Sequence, residues 1–119
     1  MSFQPQNAVV WSEIHVRDLD KAAAFYARVT GMSPHRMEMF GTDVALFGGM
    51  DGSGFDLQVG EPGGGNVIYI AAQGALSDTM ERVRAEGGEV LSAAMEVPSG
   101  VFFAAKDPDG NSIGFFEAA

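Results

Sequence analysis

The sequence predicts an α+β fold built from two tandem βαβββ modules, and three observations lead to this prediction. Stretches with alternating apolar and polar residues indicate strands, whereas two stretches with helical spacing indicate helices. The order of one strand, one helix and three strands occurs twice, each time within about 60 residues. Between the two copies stands GEPGGGN, residues 60–66, which is typical of a connector. One helix can cover only one face of each small sheet, so we expect the mixed sheets to curve around a shared cleft.

The composition favours one domain without covalent cross-links. The chain has 119 residues, of which 46% are hydrophobic, and this suits a single compact domain over residues 1–119. We expect module one at about 8–60, the connector at about 60–66 and module two at about 67–119. Cysteine is absent, which excludes disulfides, thiolate metal sites and cysteine nucleophiles.

The net charge of the chain limits the kinds of partner that it is expected to bind. Seven basic residues face sixteen acidic ones, for a net charge of −9, and a nucleic-acid or membrane surface normally needs clustered Lys and Arg. No apolar run approaches the roughly 18 residues of a membrane span, and the start lacks the features of a signal peptide. We therefore expect a cytoplasmic protein that binds neither nucleic acid nor membrane.

The first module begins with a strand at about 9–16. Asp18 can cap the next segment, and Gly31 ends it as a helix. The predicted inner face of this helix consists of Ala22, Phe25, Tyr26 and Val29. Three short strands follow at 36–40, 43–47 and 54–59, separated by breaks at 41–42, 48–49 and 51–52. Their short connections indicate an antiparallel arrangement.

The second module repeats this order. An apolar strand at 67–72 precedes a helix at 77–86, and Gly87 closes the helix. Its inner face is expected to include Leu76, Met80 and Val83. The remaining strands are predicted at 89–97, 101–105 and 112–117. The turn DPDGN, residues 107–111, separates the last two because Asp, Asn and Gly suit tight turns.

One face of the first strand carries an unusual set of polar residues. Trp11, Glu13 and His15 alternate with Ile14 and Val16, and the latter are natural partners for the helix. In the later strand of the same module, Asp56 and Gln58 alternate with apolar residues in the same way. A sheet face of this kind either borders a pocket or holds a histidine that is merely hydrogen-bonded near an edge.

The opposite wall of the predicted cleft is apolar. Superposing the two halves at an offset of about 57 residues places Ile68, Ile70 and Phe116 toward the cleft. The same parity directs Tyr69 toward the helix, and Phe103 and Phe115 are also expected there. Aromatic rings with a few polar groups are typical of a small-molecule pocket. The predicted ligand-binding residues are Trp11, Asp56, Gln58, Ile70, Phe102 and Phe116.

Three interpretations of the polar residues remain open. Glu13 and His15 could be catalytic as a proton-transfer couple, with the carboxylate orienting the imidazole. Alternatively, His15 with Glu13 or Asp56 could hold a displaced metal ion, since residues two apart on a strand lie about 7 Å apart on one face. In the third interpretation, Glu13 and His15 only make hydrogen bonds at the rim of the cleft.

Three stretches that together cover nearly the whole chain resemble the vicinal oxygen chelate superfamily, the glyoxalase, bleomycin-resistance and extradiol-dioxygenase group. They are VRDLDKAAAFYARVTGM, ALSDTMERVRAEGGEVL and VPSGVFFAAKDPDGNSIGFFE. The resemblance implies paired βαβββ modules, a small-molecule ligand and a homodimer. The loop at 98–100 resembles the family's loop that closes over ligands.

Metal-dependent members of this superfamily have four His or Glu ligands, one on the first and one on the last strand of each module. The resemblance puts these positions at Trp11, Ile68, Asp56 and Gly114. Indole, sec-butyl and glycine offer no lone pair to a divalent ion, so we expect neither a metal nor another cofactor. The leading hypothesis is a glyoxalase/bleomycin-resistance-like protein that binds a small organic ligand. The alternatives are a lyase, isomerase or dioxygenase with a rearranged metal site, and a non-catalytic structural or partner-binding domain.

Overall fold

The structure is a computed structural model that describes residues 2–49 and 53–119. Within these residues the chain forms two helices and nine strands in the order β1 (Val9–Val16), α1 (Leu19–Thr30), β2 (His35–Met39), β3 (Thr42–Gly48), β4 (Gly54–Val59), β5 (Val67–Ala71), α2 (Leu76–Ala85), β6 (Glu89–Val90), β7 (Met95–Val97), β8 (Gly100–Lys106) and β9 (Ser112–Ala118). The predicted α+β class and the repeated order of elements are confirmed. The predicted break at 51–52 lies outside the described residues.

The chain divides into two compact units. The first unit is Trp11–Val67, and the second is Ile68–Ala119 together with the N-terminal residues up to Val10. In the first unit the strands lie in the order β2, β3, β4 and β1. The short connections make β2, β3 and β4 antiparallel, as predicted, whereas β1 pairs with β4 in parallel.

Helix α1 begins and ends at the residues that the sequence indicates. Asp18 has extended backbone angles, and its side chain accepts a hydrogen bond from the Lys21 backbone N–H at 3.0 Å. At the other end Gly31 adopts φ 77° and donates its N–H to the carbonyl of Ala27 at 2.9 Å. A residue with a Cβ would be strained at that φ, so glycine suits the C-terminal end of this helix.

The core of the first unit lies between α1 and one face of its sheet. Its buried members are Leu19, Ala23, Ala45, Phe47 and Leu57, with Ile14, Val16, Ala22, Tyr26, Ala27 and Phe55 packed around them. The prediction that Phe25 and Val29 face this core is wrong, since they are 57% and 68% exposed. Alanines and Leu19 hold the inner positions instead, because small side chains let the helix approach the sheet closely.

In the second unit the strands lie in the order β5, β9, β8 and β6, and β7 pairs with β8. Helix α2 covers one face through Leu76, over the buried Phe103 and Ala105. The predicted strand at 89–97 is divided into β6 and β7. The division occurs where the Ser92 hydroxyl, rather than a backbone carbonyl, accepts the Ala104 N–H at 2.9 Å.

Both helices are short, with 12 residues in α1 and 10 in α2. Over residues 2–49 and 53–119, no helix combines the length and the hydrophobicity needed to cross a bilayer.

Candidate functional site

Five side chains on β1 and β4 share the sheet face that points away from α1, and we call this set the polar face. The parallel pairing places Glu13 opposite Asp56 and His15 opposite Gln58. The intervening Ile14 and Leu57 belong to the core under α1. Since successive side chains of a strand alternate between faces, the orientation predicted from parity is observed. The polar face comprises Trp11, Glu13, His15, Asp56 and Gln58.

Asp56 is the buried centre of the polar face and is only 4% exposed. Its Oδ2 accepts a hydrogen bond of 2.7 Å from Trp11 Nε1, and its Oδ1 lies 3.5 Å from the Nε2 donor of Gln58. Burial raises the pKa of the Asp56 carboxyl above its usual value, and the nearby Glu13 acts in the same direction. The hydrogen bond from Trp11 opposes this rise because it favours the charged form.

The second pair on this face is formed by His15 and Glu13. Nε2 of His15 lies 2.9 Å from Oε1 of Glu13, and the side chains are 20% and 17% exposed. At this distance Nε2 donates a hydrogen bond to the carboxylate when it carries a proton. The tautomer of the imidazole therefore decides whether Nε2 is a donor or an acceptor. A partly exposed carboxylate–imidazole pair can accept or deliver a proton.

The connector after β4 also contacts His15, a feature that sequence reasoning missed. The side-chain carbonyl of Asn66 accepts the His15 backbone N–H at 2.9 Å. A Cβ added at Gly60 would lie 2.8 Å from Cγ of His15, and one added at Gly65 would collide with Nδ1 of the same ring. The sequence shows only that the glycine-rich connector directly follows the strand ending at Val59; the pairing of Val59 with Val16, beside His15, is visible only in the structure.

Another glycine lies against Trp11. Gly49 has φ +88°, and a Cβ there would lie 2.6 Å from Cζ3 of the Trp11 indole. The indole therefore packs on bare backbone while its N–H is held by Asp56. A side chain at residue 49 would therefore require the indole or the backbone to shift.

In the second unit, Phe102 and Phe116 are directly paired across β8 and β9. They alternate with Phe103 and Phe115, which belong to the core under α2, so both lie on the face away from α2, as predicted. Tyr69 lies on that face too, with its ring centroid 5.3 Å from that of Phe102. The prediction that Tyr69 faces α2 is therefore wrong.

The predicted orientation of Ile70 is also wrong. Ile70 is paired with Phe115, and Ile68 with Ile113, so both isoleucines lie on the side of the sheet that carries α2. The face away from the helix holds the odd-numbered Trp11 and Glu13 in β1 and the odd-numbered Tyr69 in β5, so these two strands match only at an even offset. The helices begin at Leu19 and Leu76, which gives the odd offset of 57. The offset that aligns the helices therefore misaligns the strands.

Two contacts occupy positions where the resemblance puts metal ligands. The Tyr69 ring fills the space that a side chain at Gly114 would need, since a Cβ there would collide with ring carbons Cδ1 and Cε1. Trp11 presents a hydrogen-bond donor, not a lone pair, and directs it to Asp56. Over residues 2–49 and 53–119, no group of three or more His, Asp or Glu side chains could hold a metal ion.

A separate groove of about 340 Å³ lies beside α2 in the second unit, lined in part by Phe3, Val83, Glu86 and Phe115. Arg82 also lines it, but this side chain donates to the Gln73 carbonyl at 3.2 Å and to the Thr79 hydroxyl at 3.0 Å. Arg82 in this groove is therefore hydrogen-bonded to groups of the second unit, whereas the cluster of polar side chains lies on the polar face of the first unit.

Comparison with known proteins supports the fold. The sequence profile of the Glyoxalase/Bleomycin resistance protein/Dioxygenase superfamily matches residues 8–115. A superfamily member from Vibrio splendidus is similar in structure, with a TM-score of 0.69, 17% identity, and coverage of 93% of this chain and 99% of that chain. No relative was found among curated proteins.

Two similar structures are methylmalonyl-CoA epimerases. The Mycobacterium tuberculosis enzyme has a TM-score of 0.66 and 19% identity, and the match covers 94% of this chain and 88% of that chain. The Streptomyces coelicolor enzyme, in complex with 2-nitronate-propionyl-CoA, has a TM-score of 0.68 and 18% identity, with coverage of 94% and 97%. At these identities the likeness shows the fold alone. The profile match over residues 8–115 shows that the chain belongs to the Glyoxalase/Bleomycin resistance protein/Dioxygenase superfamily.

Proposed function

We propose that this protein binds a small organic molecule at the polar face, without a metal ion. The observation that carries the proposal is the buried Asp56 carboxyl, held by the Trp11 indole at 2.7 Å beside Glu13 and His15. Converging polar groups beside an aromatic ring, with a carboxyl of perturbed pKa, are common in ligand sites. A purely structural sheet face would more often be apolar or loosely polar.

The ligand that suits this face is uncharged or positively charged. Glu13 and Asp56 are cross-strand partners, and the whole chain carries a net charge of −9. The similar Streptomyces coelicolor epimerase is described in complex with a CoA derivative, and CoA bears several phosphate charges. Phosphates near two carboxyls would be repelled, so CoA esters are expected to be poor ligands here.

The residues present do not fit the divalent metal site that the resemblance implies. Tyr69 takes the space that a ligand at Gly114 would need, and Trp11 donates a hydrogen where a metal requires a lone pair. A rearranged site at Glu13, His15 and Asp56 is disfavoured because these side chains are engaged with one another and with Trp11. Any reaction at the polar face would therefore use the chain's own side chains.

A second candidate function is proton transfer by the Glu13–His15 pair. The 2.9 Å separation of Nε2 and Oε1 favours it, since a hydrogen bond at this distance holds the carboxylate and the imidazole in a fixed orientation. In this function Glu13 would take a proton from a bound ligand, and His15 would hold the carboxylate in place through Nε2, because its Nδ1 edge lies against Gly60 and Gly65. Trp11 and Asp56 would then bind and orient the ligand.

The binding proposal can be tested with a screen of small neutral, cationic and anionic compounds. Trp11 is the single tryptophan of the chain, so its fluorescence reports directly on the proposed site. A compound at 100 times its Kd should also add about 2.7 kcal/mol to the free energy of unfolding. We expect hits among neutral and cationic compounds, with CoA esters among the weakest.

The location of the site can be tested with matched charge-neutralising variants. Glu13→Gln should weaken binding of a hit by roughly tenfold, the loss expected when a charge-assisted hydrogen bond is removed. Glu38→Gln makes the same change on an exposed residue of β2 and should leave the affinity unchanged. Equal affinity in both variants, or binding that requires Zn²⁺ or Mn²⁺, would contradict the proposal.

A further inference from the structure

The connector at residues 60–66 is a folded turn that packs on the polar face. Its backbone makes three internal hydrogen bonds, from Gly64 N–H to the Pro62 carbonyl at 3.0 Å, from residue 65 to residue 61 at 3.2 Å, and from residue 66 to residue 63 at 3.0 Å. A fourth bond joins Gly60 N–H to the Val16 carbonyl at 3.0 Å. The fourth bond joins the turn to the end of β1, directly after His15.

Three residues of this turn contact His15. Asn66 accepts the His15 backbone N–H through its side chain. At Gly60, the three atoms nearest to an added Cβ all belong to His15: Nδ1, Cγ at 2.8 Å and Cβ at 3.1 Å. At Gly65, an added Cβ would meet Nδ1 and, at 3.2 Å, Cε1 of the same ring, and also the Glu61 carbonyl oxygen at 2.8 Å. The Nδ1 edge of the imidazole therefore lies against glycine backbone, and the opposite Nε2 points to Glu13.

We infer that Gly60, Gly65 and Asn66 are positioning residues that hold the His15 imidazole in the orientation in which Nε2 meets Glu13. An imidazole that rotates about its χ angles can present either nitrogen, and the partner of one nitrogen decides the state of the other. Because Gly60 and Gly65 have no side chains, their backbones leave room for the ring in this orientation, whereas a Cβ at either position would collide with Nδ1. The importance of this positioning for ligand binding rests on the proposed function, but the contacts with His15 are present without a ligand.

The test uses long-range ¹H–¹⁵N NMR of the imidazoles in the ligand-free protein at fixed pH. The chain has two histidines, and His35 on β2 serves as an internal reference in every spectrum. Gly60→Ala and Gly65→Ala should shift the Nδ1 and Nε2 signals of His15 and leave those of His35 in place. Gly64→Ala is the matched control, because an added Cβ there meets nothing within 4 Å, and it should change neither histidine. Unchanged His15 signals in Gly60→Ala and Gly65→Ala would overturn the inference.

A double-mutant cycle covers the case in which Gly60→Ala does not fold. The contacts at Gly60 are with His15, so the Gly60→Ala, His15→Ala double variant should unfold at nearly the same urea concentration as His15→Ala alone. The inference is wrong if Gly60→Ala destabilises the His15→Ala variant as much as it destabilises the natural chain. The cost of the added methyl group would then not come from a collision with the His15 ring.

Asn66 provides a further check that does not alter the glycines. Asn66→Ala removes the acceptor of the His15 N–H and should move the His15 ring signals, whereas the ring signals of His35 should stay in place. Failure of every compound to bind, with the expected NMR changes present, would contradict the proposed function and leave the positioning intact. Binding with unchanged His15 spectra would do the reverse.

Discussion

At the scale of single residues, Asp56 combines near-complete burial with two side-chain partners. An isolated buried carboxylate would be costly, and the Trp11 N–H lowers that cost by favouring the charged form. Desolvation nevertheless dominates and raises the pKa of Asp56 above 3.8, the ordinary value. The carboxyl therefore retains its proton at pH values at which an exposed aspartate has lost it.

This raised pKa predicts a specific pH dependence of stability. The folded state binds the Asp56 proton more tightly than the unfolded chain does, so its contribution to stability is complete below pH 3.8 and is lost as the pH rises through the folded-state pKa. Asp56→Asn cannot ionise, yet its Oδ1 can still accept the Trp11 N–H. Urea denaturation should show the variant gaining stability relative to the natural chain as the pH rises through this window. Each unit of pKa shift corresponds to about 1.4 kcal/mol.

The matched control for this measurement is Glu38→Gln, which removes an exposed carboxylate of β2. Its stability relative to the natural chain should not follow the same pH profile. A pH-independent difference between Asp56→Asn and the natural chain would show that the Asp56 pKa is the same in both states.

The pKa of Asp107 is shifted in the opposite direction to that of Asp56. Hydrogen bonds from the Asn111 side chain at 2.8 Å and its backbone at 2.9 Å, with a further one from Asp109 N–H, hold the pKa of Asp107 below its usual value. Its stabilising contribution is therefore present above the unfolded-state pKa and is lost as the pH falls through the folded-state pKa. Asp107→Ala should be less stable than the natural chain near pH 7, with the difference shrinking in acid.

Asp109→Ala tests whether this effect belongs to Asp107. Asp109 lies in the same exposed turn and contributes only its backbone N–H to Asp107. Chemical denaturation of Asp109→Ala should therefore show little loss of stability at neutral pH. Equal losses in the two alanine variants would assign the effect to the local charge of the turn.

At the scale of elements, helix α2 receives its N-terminal cap from a distant strand. Ala75 precedes the helix and has no side-chain cap. Instead, Oε1 of Glu117 on β9 accepts the Leu76 N–H at 2.9 Å. A carboxylate near a helix N-terminus satisfies a backbone donor and interacts favourably with the helix dipole. This contact joins α2 to the sheet that it covers.

Removing this cap should destabilise the protein. Glu117→Ala should lower the free energy of unfolding by about 1 kcal/mol, the usual cost of losing a helix cap, as measured by urea denaturation. Glu117→Gln keeps an oxygen that can accept the Leu76 N–H and should recover most of the loss. A glutamine variant as unstable as the alanine variant would mean that charge, not the hydrogen bond, accounts for the stabilisation.

Elements also show where pattern reasoning succeeded and failed. Asp18 and Gly31 mark the ends of α1 because capping depends on adjacent residues alone. The prediction for Ile70, by contrast, is wrong because the offset of 57 that aligns the two helices is odd, whereas the faces of β1 and β5 match at an even offset. Strand parity within one strand is local, but its relation to a second strand depends on where pairing begins.

At the scale of the whole molecule, the net charge of −9 predicts sensitivity to salt. Self-repulsion of like charges destabilises a compact state, and raising the ionic strength from 0.01 to 0.15 M shortens the Debye length from about 30 Å to about 8 Å. The urea midpoint should therefore rise with NaCl over this range. Glu38→Lys makes the net charge less negative and should reduce the rise. A midpoint that falls with added salt would contradict this expectation.

Family membership covers nearly the whole chain, from residue 8 to residue 115, but it does not decide a function, because one fold hosts many chemistries. The homodimer and the cytoplasmic location stay predictions. Sedimentation equilibrium of the purified protein would test the first, and fractionation of its source cells the second.

The sequence by itself determined the α+β class, the two modules, the ends of α1 and the residues that share the polar face. These depend on hydrophobic periodicity, caps and strand parity, which act over a few residues. Only the tertiary structure decided that Trp11 donates to Asp56, that Gly60 and Gly65 seat the His15 ring, and that Tyr69 fills the space beside Gly114. These contacts join residues far apart in the chain, and they depend on register and packing that no local pattern encodes.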